Sequence, residues 1–272
     1  MEKRRRARDP WFSIICTLLV VVGVGLILTP TIYSRMVAGR YQQDVRVYKQ
    51  HAQTTTRRTQ RLTAYNQALA VGQRGTLPLT TNQLSHTIGY VTIPRIHVQN
   101  QPIYYGDDDN TLAHGVGIMP GTSLPIGGRS TLSVISGHSG FNNQVIFDNI
   151  RHLKNGDRFY VTALGQPRHA YRVYKRMVVA PSGKAALAPI RIQQGKDITV
   201  LLTCTPIFIN SHRLLIFGKR VPLKSAKPTT SPAPTTHTNW WLYTTIIVVT
   251  LIVAAGGVTL VVRHQHQSKD IK

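Results

Sequence analysis

Cysteine is almost missing from this chain of 272 residues, which contains only Cys16 and Cys204. Cys16 lies inside a long apolar run near the N-terminus, so Cys204 is alone in the large segment that follows. A single thiol cannot form a disulfide within that segment, and a lone exported thiol is open to oxidation. Cys204 is therefore either a small buried hydrophobic residue or a nucleophile.

Charged residues are absent from two long apolar runs, 11–28 and 240–262. Each run is long enough to cross a hydrocarbon core as a helix, and basic residues on the terminal side of both favour cytoplasmic termini. No small-residue cleavage site follows the first run, so we expect it to stay as an anchor. The sequence therefore predicts a two-pass protein of the cell membrane, with the segment between the spans on the extracellular face.

Acidic residues are also scarce, with 10 Asp and Glu against 33 Lys and Arg. Residues 33–239 hold 25 of the basic and seven of the acidic residues, a net charge of +18. That field attracts anionic lipid headgroups or wall polymers at long range, and a solvated basic surface with no specific partner is the equal alternative. Nucleic acid is not an expected partner outside the membrane.

These features divide the chain into seven segments. A juxtamembrane helix is predicted because Tyr33, Val37, Tyr41, Val45 and Tyr48 recur at helical spacing. A Pro/Thr-rich stretch before the second span should form an extended stalk. The segments are a basic cytoplasmic tail (1–10), a transmembrane helix (11–32), the juxtamembrane helix with a candidate lid loop (33–87), a β-rich domain (88–223), the stalk (224–239), a second transmembrane helix (240–262) and a cytoplasmic tail (263–272).

Short β-rich runs separated by Gly, Pro and Asn fill the domain from residue 88 onward. Many short strands with few helices predict a mainly β fold, a single barrel or sandwich. Strands are predicted at 88–93, 95–98, 101–104, 131–136, 158–164, 170–180, 198–203 and 214–221, and short helices at 111–114 and 145–150.

The acidic run Asp107, Asp108 and Asp109 stands directly before the first of these short helices. One of the three is expected to cap the helix. A metal site is the weaker interpretation, because hard cations need about six or more oxygens, usually from a longer loop.

Cys204 ends one predicted strand, and Arg213 begins the next one nine residues later. Short connections favour antiparallel neighbours, so both residues should lie at the same edge of the sheet. A guanidinium there stays charged and could stabilise an oxyanion. Strand alternation sends His212 to the opposite face from Arg213. A surface cation is the alternative interpretation of Arg213.

A nucleophilic cysteine also needs a proton acceptor, and the segment between the predicted spans contains nine histidines. His138 follows the apolar run 132–136 and is flanked by Gly137 and Gly140, which allow backbone or substrate to come close. A histidine at a strand end is ordinarily structural, so this alternative stays open.

Three short motifs resemble those of one known family. Leu201-Leu-Thr-Cys-Thr-Pro206, then Asn210-Ser-His-Arg-Leu-Leu215, and Ser136-Gly-His138 upstream are similar to the cysteine, arginine and histidine motifs of the sortases. Sortases are membrane-anchored cysteine transpeptidases of Gram-positive bacteria. The resemblance extends over about residues 88–222, with further matching pieces at 121–128 and 154–157. Together with two spans, these pieces look most like class C, the pilin-polymerising sortases.

The resemblance implies a closed eight-stranded sortase-type β-barrel with short helices, which uses no cofactor and no metal. It implies cleavage of the Thr–Gly bond in a Leu-Pro-x-Thr-Gly-type sorting signal through a thioester. The acyl group would then pass to a lysine amine of a pilin subunit. The implied roles are Cys204 as nucleophile, His138 as acid and base, Arg213 as oxyanion or substrate clamp, and Thr203, Thr205 and Pro206 as substrate-binding residues.

The loop before residue 88 departs from the family pattern. Class C enzymes usually carry a lid with an Asp-Pro-aromatic triad, and no Asp-Pro occurs between Tyr33 and Ile88. The loop instead reads like a sorting signal with threonine in place of glycine, which suggests a pseudosubstrate lid formed by Leu77, Pro78, Leu79 and Thr80. A chance Leu-Pro pair is the alternative.

Two other functions stay open. The chain could be a sortase that attaches surface proteins to the wall, with the amine of a peptidoglycan precursor as acceptor. It could also be a non-enzymatic membrane scaffold that binds anionic wall polymers, with Cys204 merely buried. Thiol reactivity at Cys204 separates the scaffold from both enzymes.

Overall fold

A computed structural model of the chain describes residues 10–140 and 147–223. The predicted stalk, the second predicted span and the C-terminal tail lie outside these residues, as does the N-terminal tail up to residue 9. The chain divides into two units, and one of them, Met36–Thr235, contains the β-rich domain and the candidate site.

The helices α1 (Pro10–His51), α2 (Thr56–Ala70) and α3 (Thr81–Ser85) precede the β-rich domain. The first predicted span falls within α1. Within the described residues, we find no helix with both the length and the apolarity that a membrane crossing requires.

The predicted juxtamembrane segment contains a break between two helices. α1 ends at His51, and α2 begins after Thr55, whose hydroxyl accepts a hydrogen bond from the backbone N–H of Arg58 at 3.2 Å. Threonine in extended backbone is a good helix N-cap, so the new start satisfies an otherwise orphaned amide. Val37 and Val45 of the predicted apolar stripe are buried.

Eight strands form a closed barrel in the order β1-β2-β3-β4-β7-β8-β6-β5. The pairs β2–β3 and β4–β7 are parallel, and the others are antiparallel. The strands are β1 (Gly89–Ile93), β2 (Val98–Tyr105), β3 (Val116–Ile118), β4 (Thr131–Ser136), β5 (Arg158–Ala163), β6 (His169–Val179), β7 (Asp197–Thr205) and β8 (His212–Val221), with short helices α4 (Asp109–His114) and α5 (Lys184–Leu187) between them.

Two predicted elements are wrong in type. The predicted strand 95–98 is instead a 3₁₀ turn, Pro94–Ile96, followed by His97 with a left-handed φ of 57°. The predicted helix at 145–150 is a 3₁₀ turn at Asp148–His152, and residues 141–146 lie outside the described part of the chain. β3, which the sequence analysis missed, restores the count of eight strands.

Two apolar clusters cover the two faces of the sheet around β4, β7 and β8. One contains alternate residues such as Ile135, Leu201 and Ile216, and it continues around the barrel. The other consists of Leu132, Val134, Ile198, Val200, Leu215 and Phe217. Because side chains alternate between faces along a strand, membership of a cluster reports the face on which each residue lies.

Candidate active site

The strands that contain Cys204 and Arg213, β7 and β8, pair in the expected antiparallel way, and Cys204 lies directly opposite Arg213. Residues in such a pair have Cβ atoms about 5 Å apart and on the same face of the sheet. By alternation, Cys204 shares the face of Ile198 and Val200, and Arg213 shares that of Leu215 and Phe217. Both therefore lie on the face of the second apolar cluster.

His138 reaches the same face from the parallel neighbour of β7. In the β4–β7 ladder Ser136 is level with Leu202, and the Gly137 amide continues it by donating to the Leu202 carbonyl at 3.0 Å. Two residues beyond Ser136 and Leu202, His138 and Cys204 are therefore side by side at the ends of their strands. The three predicted site residues therefore lie at one end of the barrel, Cys204 on β7, Arg213 on β8 and His138 two residues beyond the end of β4.

Two side-chain hydrogen bonds hold the backbone on either side of His138. The Thr203 hydroxyl donates to the Gly137 carbonyl at 2.8 Å, and the Ser139 hydroxyl donates to the Cys204 carbonyl at 2.8 Å. Both hydroxyl-bearing residues are buried. Ser139 was not among the predicted site residues, although its position directly after His138 could have suggested a hydrogen bond to the neighbouring strand.

The environment of His138 favours the neutral ring. Partial burial lowers its pKa from the ordinary value of 6.5, and Asp109 opposes this through its carboxylate and a backbone hydrogen bond. A neutral imidazole can accept the proton of a neighbouring thiol. Cys204 is partly exposed and its thiol is free, so a substrate can reach it.

The guanidinium of Arg213 is held by its own loop. Its Nη1 donates to the carbonyls of Asn210 at 3.0 Å and His212 at 3.2 Å. These bonds use one nitrogen of a group with five N–H donors, so the others can hold a substrate oxygen. His212 pairs with Thr205 on β7 and lies on the alternate face from Arg213, as strand alternation predicts.

The predicted substrate-binding residues differ in exposure. Thr203 is 2% exposed and its hydroxyl is already bonded to the Gly137 carbonyl, so its assignment to substrate binding stays a prediction. Thr205 ends β7 partly exposed, and Pro206 follows it exposed after a cis peptide bond. These two residues can therefore contact a substrate bound at Cys204.

The candidate pseudosubstrate segment lies against the helices. Leu77 and Leu79 pack on the large apolar cluster, and Thr80 caps α3 through a capping box with Gln83. Pro78, Leu79 and Thr80 line a cavity together with residues of α1 and α2, and the described residues that line it include none of the three site residues. The pseudosubstrate idea stays a hypothesis.

Asp108 is the residue of the acidic run that caps α4, accepting from the backbone N–H of Thr111 at 3.0 Å. Among the described residues, no group of three or more His, Cys, Asp or Glu is arranged to hold a metal ion. The carboxylate of Asp108 is thus used by the helix.

A cysteine beside a histidine and an arginine, at one end of a closed eight-stranded barrel, is typical of cysteine enzymes that transfer acyl groups. Known proteins give the family. The sortase domain model matches residues 91–221. Sortase C1 of GBS pilus island 1 is 36% identical, with a TM-score of 0.59, and the match covers 66% of this chain and 98% of that one.

Two further relatives agree. A Clostridium perfringens sortase C with a C-terminal cell wall sorting motif is 35% identical with a TM-score of 0.59, over 66% of this chain and 98% of that one. Sortase A of Bacillus anthracis is 24% identical over 223 residues, which is 79% of this chain and 97% of the relative. The chain belongs to the sortase family and is a cysteine transpeptidase whose structural neighbours are class C sortases.

Proposed function

We propose that this chain is a membrane-anchored sortase of the class C type that polymerises pilin subunits. The observation that carries the proposal is the register of three strands, which sets Cys204 opposite Arg213 and next to His138. The similar structures include a sortase of a pilus island and one with a sorting motif, which supports a sorting-signal substrate and a pilin acceptor.

The chemistry proceeds in two acyl transfers. His138 takes the thiol proton as Cys204 attacks the threonine carbonyl of a Leu-Pro-x-Thr-Gly-type signal, and Arg213 stabilises the oxyanion. The C–N bond then breaks, His138 gives its proton to the leaving glycine amine, and a thioester remains. A lysine amine attacks the thioester and loses a proton to His138, which returns it to the departing thiolate of Cys204.

The anchoring part of the proposal rests on the sequence. The uncharged runs 11–28 and 240–262 with basic terminal flanks support two spans and cytoplasmic termini. The barrel would then act on the extracellular face, where sorting signals and acceptor amines meet. Its net positive charge also suits a location beside anionic wall polymers.

The test uses the full chain in neutral detergent with a purified pilin subunit that carries a sorting signal. The proposal predicts ladders that resist sodium dodecyl sulphate, and these should vanish in Cys204→Ala. Replacing the acceptor lysine of the pilin should leave a thioester or hydrolysed product without ladders. Formation of ladders by Cys204→Ala would refute the proposed nucleophile.

Attachment of surface proteins to the wall is the second candidate. Similarity to a sortase A over 79% of the chain supports it. In that case the enzyme should prefer the amine of a peptidoglycan-precursor peptide and yield one defined adduct. Competition between this peptide and the pilin lysine in one reaction separates the two functions.

A further inference from the structure

A cavity of about 800 Å³ lies in the unit Met36–Thr235, away from the three site residues. It is bounded by the C-terminal turns of α1, the first turns of α2 and the segment around α3. Protein sites for small molecules have volumes of about 300–1,000 Å³. This cavity is therefore large enough for a small ligand.

Positive charge is concentrated on its wall. The lining contains Arg57, Arg58 and Arg61, and Asp44 is the acidic residue among the described lining residues. The Asp44 carboxylate accepts a hydrogen bond from the hydroxyl of Tyr104 at 2.8 Å. The ion pairs found in the described residues are Arg95–Asp157 and Arg220–Asp197. The three arginines of the cavity therefore have no carboxylate partner among the described residues.

The charges of these arginines are unfavourable for α2, the helix that contains them. Arg57 and Arg61 are four residues apart and Arg58 and Arg61 three apart, which brings like charges together on one face. The first turn of α2 has no acidic residue, although the N-terminal end of a helix favours negative charge. A bound anion would relieve both repulsions.

Local contacts hold the basic groups without neutralising them. Nη1 of Arg58 donates to the Gln53 carbonyl at 3.1 Å. The rings of His51 and His86, which also line the cavity, each donate to a backbone carbonyl four residues earlier. The cationic wall is thus partly fixed before any ligand binds, which lowers the entropic cost of binding.

We propose that this cavity binds a phosphate ester. Guanidinium groups bind the oxygens of phosphate through paired hydrogen bonds. Arg57 and Arg61 supply two such groups to the cavity. Val47, Leu79 and Ile88 add apolar lining for the carbon part of the ester. The phosphate can belong to a phospholipid headgroup or to a soluble phosphate-containing wall polymer.

The experiment titrates the full chain, in neutral detergent, with glycerol 3-phosphate by calorimetry. A second arm measures hydrogen exchange of residues 52–61 and 78–88 in micelles doped with phosphatidylglycerol or with phosphatidylcholine. The variant Arg57→Gln/Arg61→Gln should weaken glycerol phosphate binding about tenfold or more, or abolish the protection by phosphatidylglycerol. If the double variant loses glycerol phosphate binding in the first arm, the ligand is a soluble ester. If it loses only the phosphatidylglycerol protection of the second arm, the ligand is a lipid.

The control variant Arg46→Gln/Arg74→Gln removes the same charge from two exposed positions that do not line the cavity. It should bind both probes as the parent chain does. An equal loss in the two variants would mean a general field without a site, and absence of variant-sensitive binding in both arms would also overturn the proposal. Circular dichroism melting of both variants excludes unfolding as the cause.

Discussion

The imidazole of His138 is hydrogen-bonded to the backbone of Asp109, the first residue of α4. This contact raises the pKa of His138, so the backbone group is the carbonyl and the ring is the donor. The β3–β4 register explains how α4 comes close. Gly117 pairs with Ser136, so continuation of the ladder brings Gly115, directly after α4, opposite His138.

We predict that Asp109→Asn lowers the pKa of His138. Burial already lowers this pKa, and the Asp109 carboxylate opposes the shift by favouring the charged ring. Without that carboxylate the ring protonates only at lower pH, so the acid limb of the pH–rate profile should move to lower pH. The rate at neutral pH should fall as well, because the imidazolium that protonates the leaving amine is less stable. Titration of the His138 ring by NMR measures the shift without substrate.

The matched control is Asp107→Asn, which removes the same charge two residues earlier. It should leave the His138 titration unchanged, and Asp109→Glu should restore the parent profile. Equal shifts in Asp107→Asn and Asp109→Asn would mean that only the net charge of the acidic run matters.

The clamp on His138, formed by the hydrogen bond from the Thr203 hydroxyl to the Gly137 carbonyl, gives a second prediction. Thr203→Val keeps the side-chain shape but leaves the Gly137 carbonyl without its 2.8 Å donor. A buried group left unsatisfied costs about 1–3 kcal/mol of unfolding free energy. We expect kcat to fall with little change in KM, because His138 is displaced while the substrate surface is not. Thr199→Val, at a buried position earlier on β7, should leave kcat unchanged, and a similar fall in both variants would argue against the clamp.

The pairing of Cys204 with Arg213 could be predicted from the sequence, because β-periodicity and a short connection determine it. The place of His138 could not, since β4 and β7 are about 60 residues apart in sequence and their parallel pairing depends on the whole barrel. The contact with Asp109 has no local pattern at all. It follows from the position of α4 directly before β3.

The errors in the fold have local causes. Pro94 starts a 3₁₀ turn, and left-handed backbone at His97 delays β2 until Val98. β3 was missed because three residues between Gly115 and Met119-Pro120 are too few to show an alternating pattern. The break between α1 and α2 covers residues 52–55 and ends with Thr54-Thr55, where threonine stabilises a helix better as a cap than in its interior.

Gly137→Ala should disturb the site by overpacking. A Cβ at residue 137 would lie 2.8 Å from two ring atoms of Phe147, which is fully buried, and 3.1 Å from Val116. Overpacking of this kind lowers the free energy of unfolding by about 1–3 kcal/mol. The backbone shift that it causes would occur directly before His138. We expect a lower melting temperature and slower transpeptidation.

The double variant Gly137→Ala/Phe147→Leu should recover part of the stability, because leucine lacks the ring. Gly39→Ala in α1 is the control, since open space surrounds that position and alanine favours helix. Full stability of Gly137→Ala would show that Phe147 can move aside freely.

Alanine at both Leu77 and Pro78 decides between two roles for the loop before β1. A pseudosubstrate that occupied the site would slow alkylation of Cys204, so its removal should speed labelling and peptide cleavage. The packing of Leu77 on the large apolar cluster, and of Pro78 beside α1 and α2, predicts instead a loss of stability with unchanged labelling. Truncating a partly buried leucine costs up to about 2 kcal/mol. Measured below the melting temperature of the variant, a severalfold faster reaction of Cys204 with a small thiol reagent would establish the pseudosubstrate lid and contradict a purely structural role.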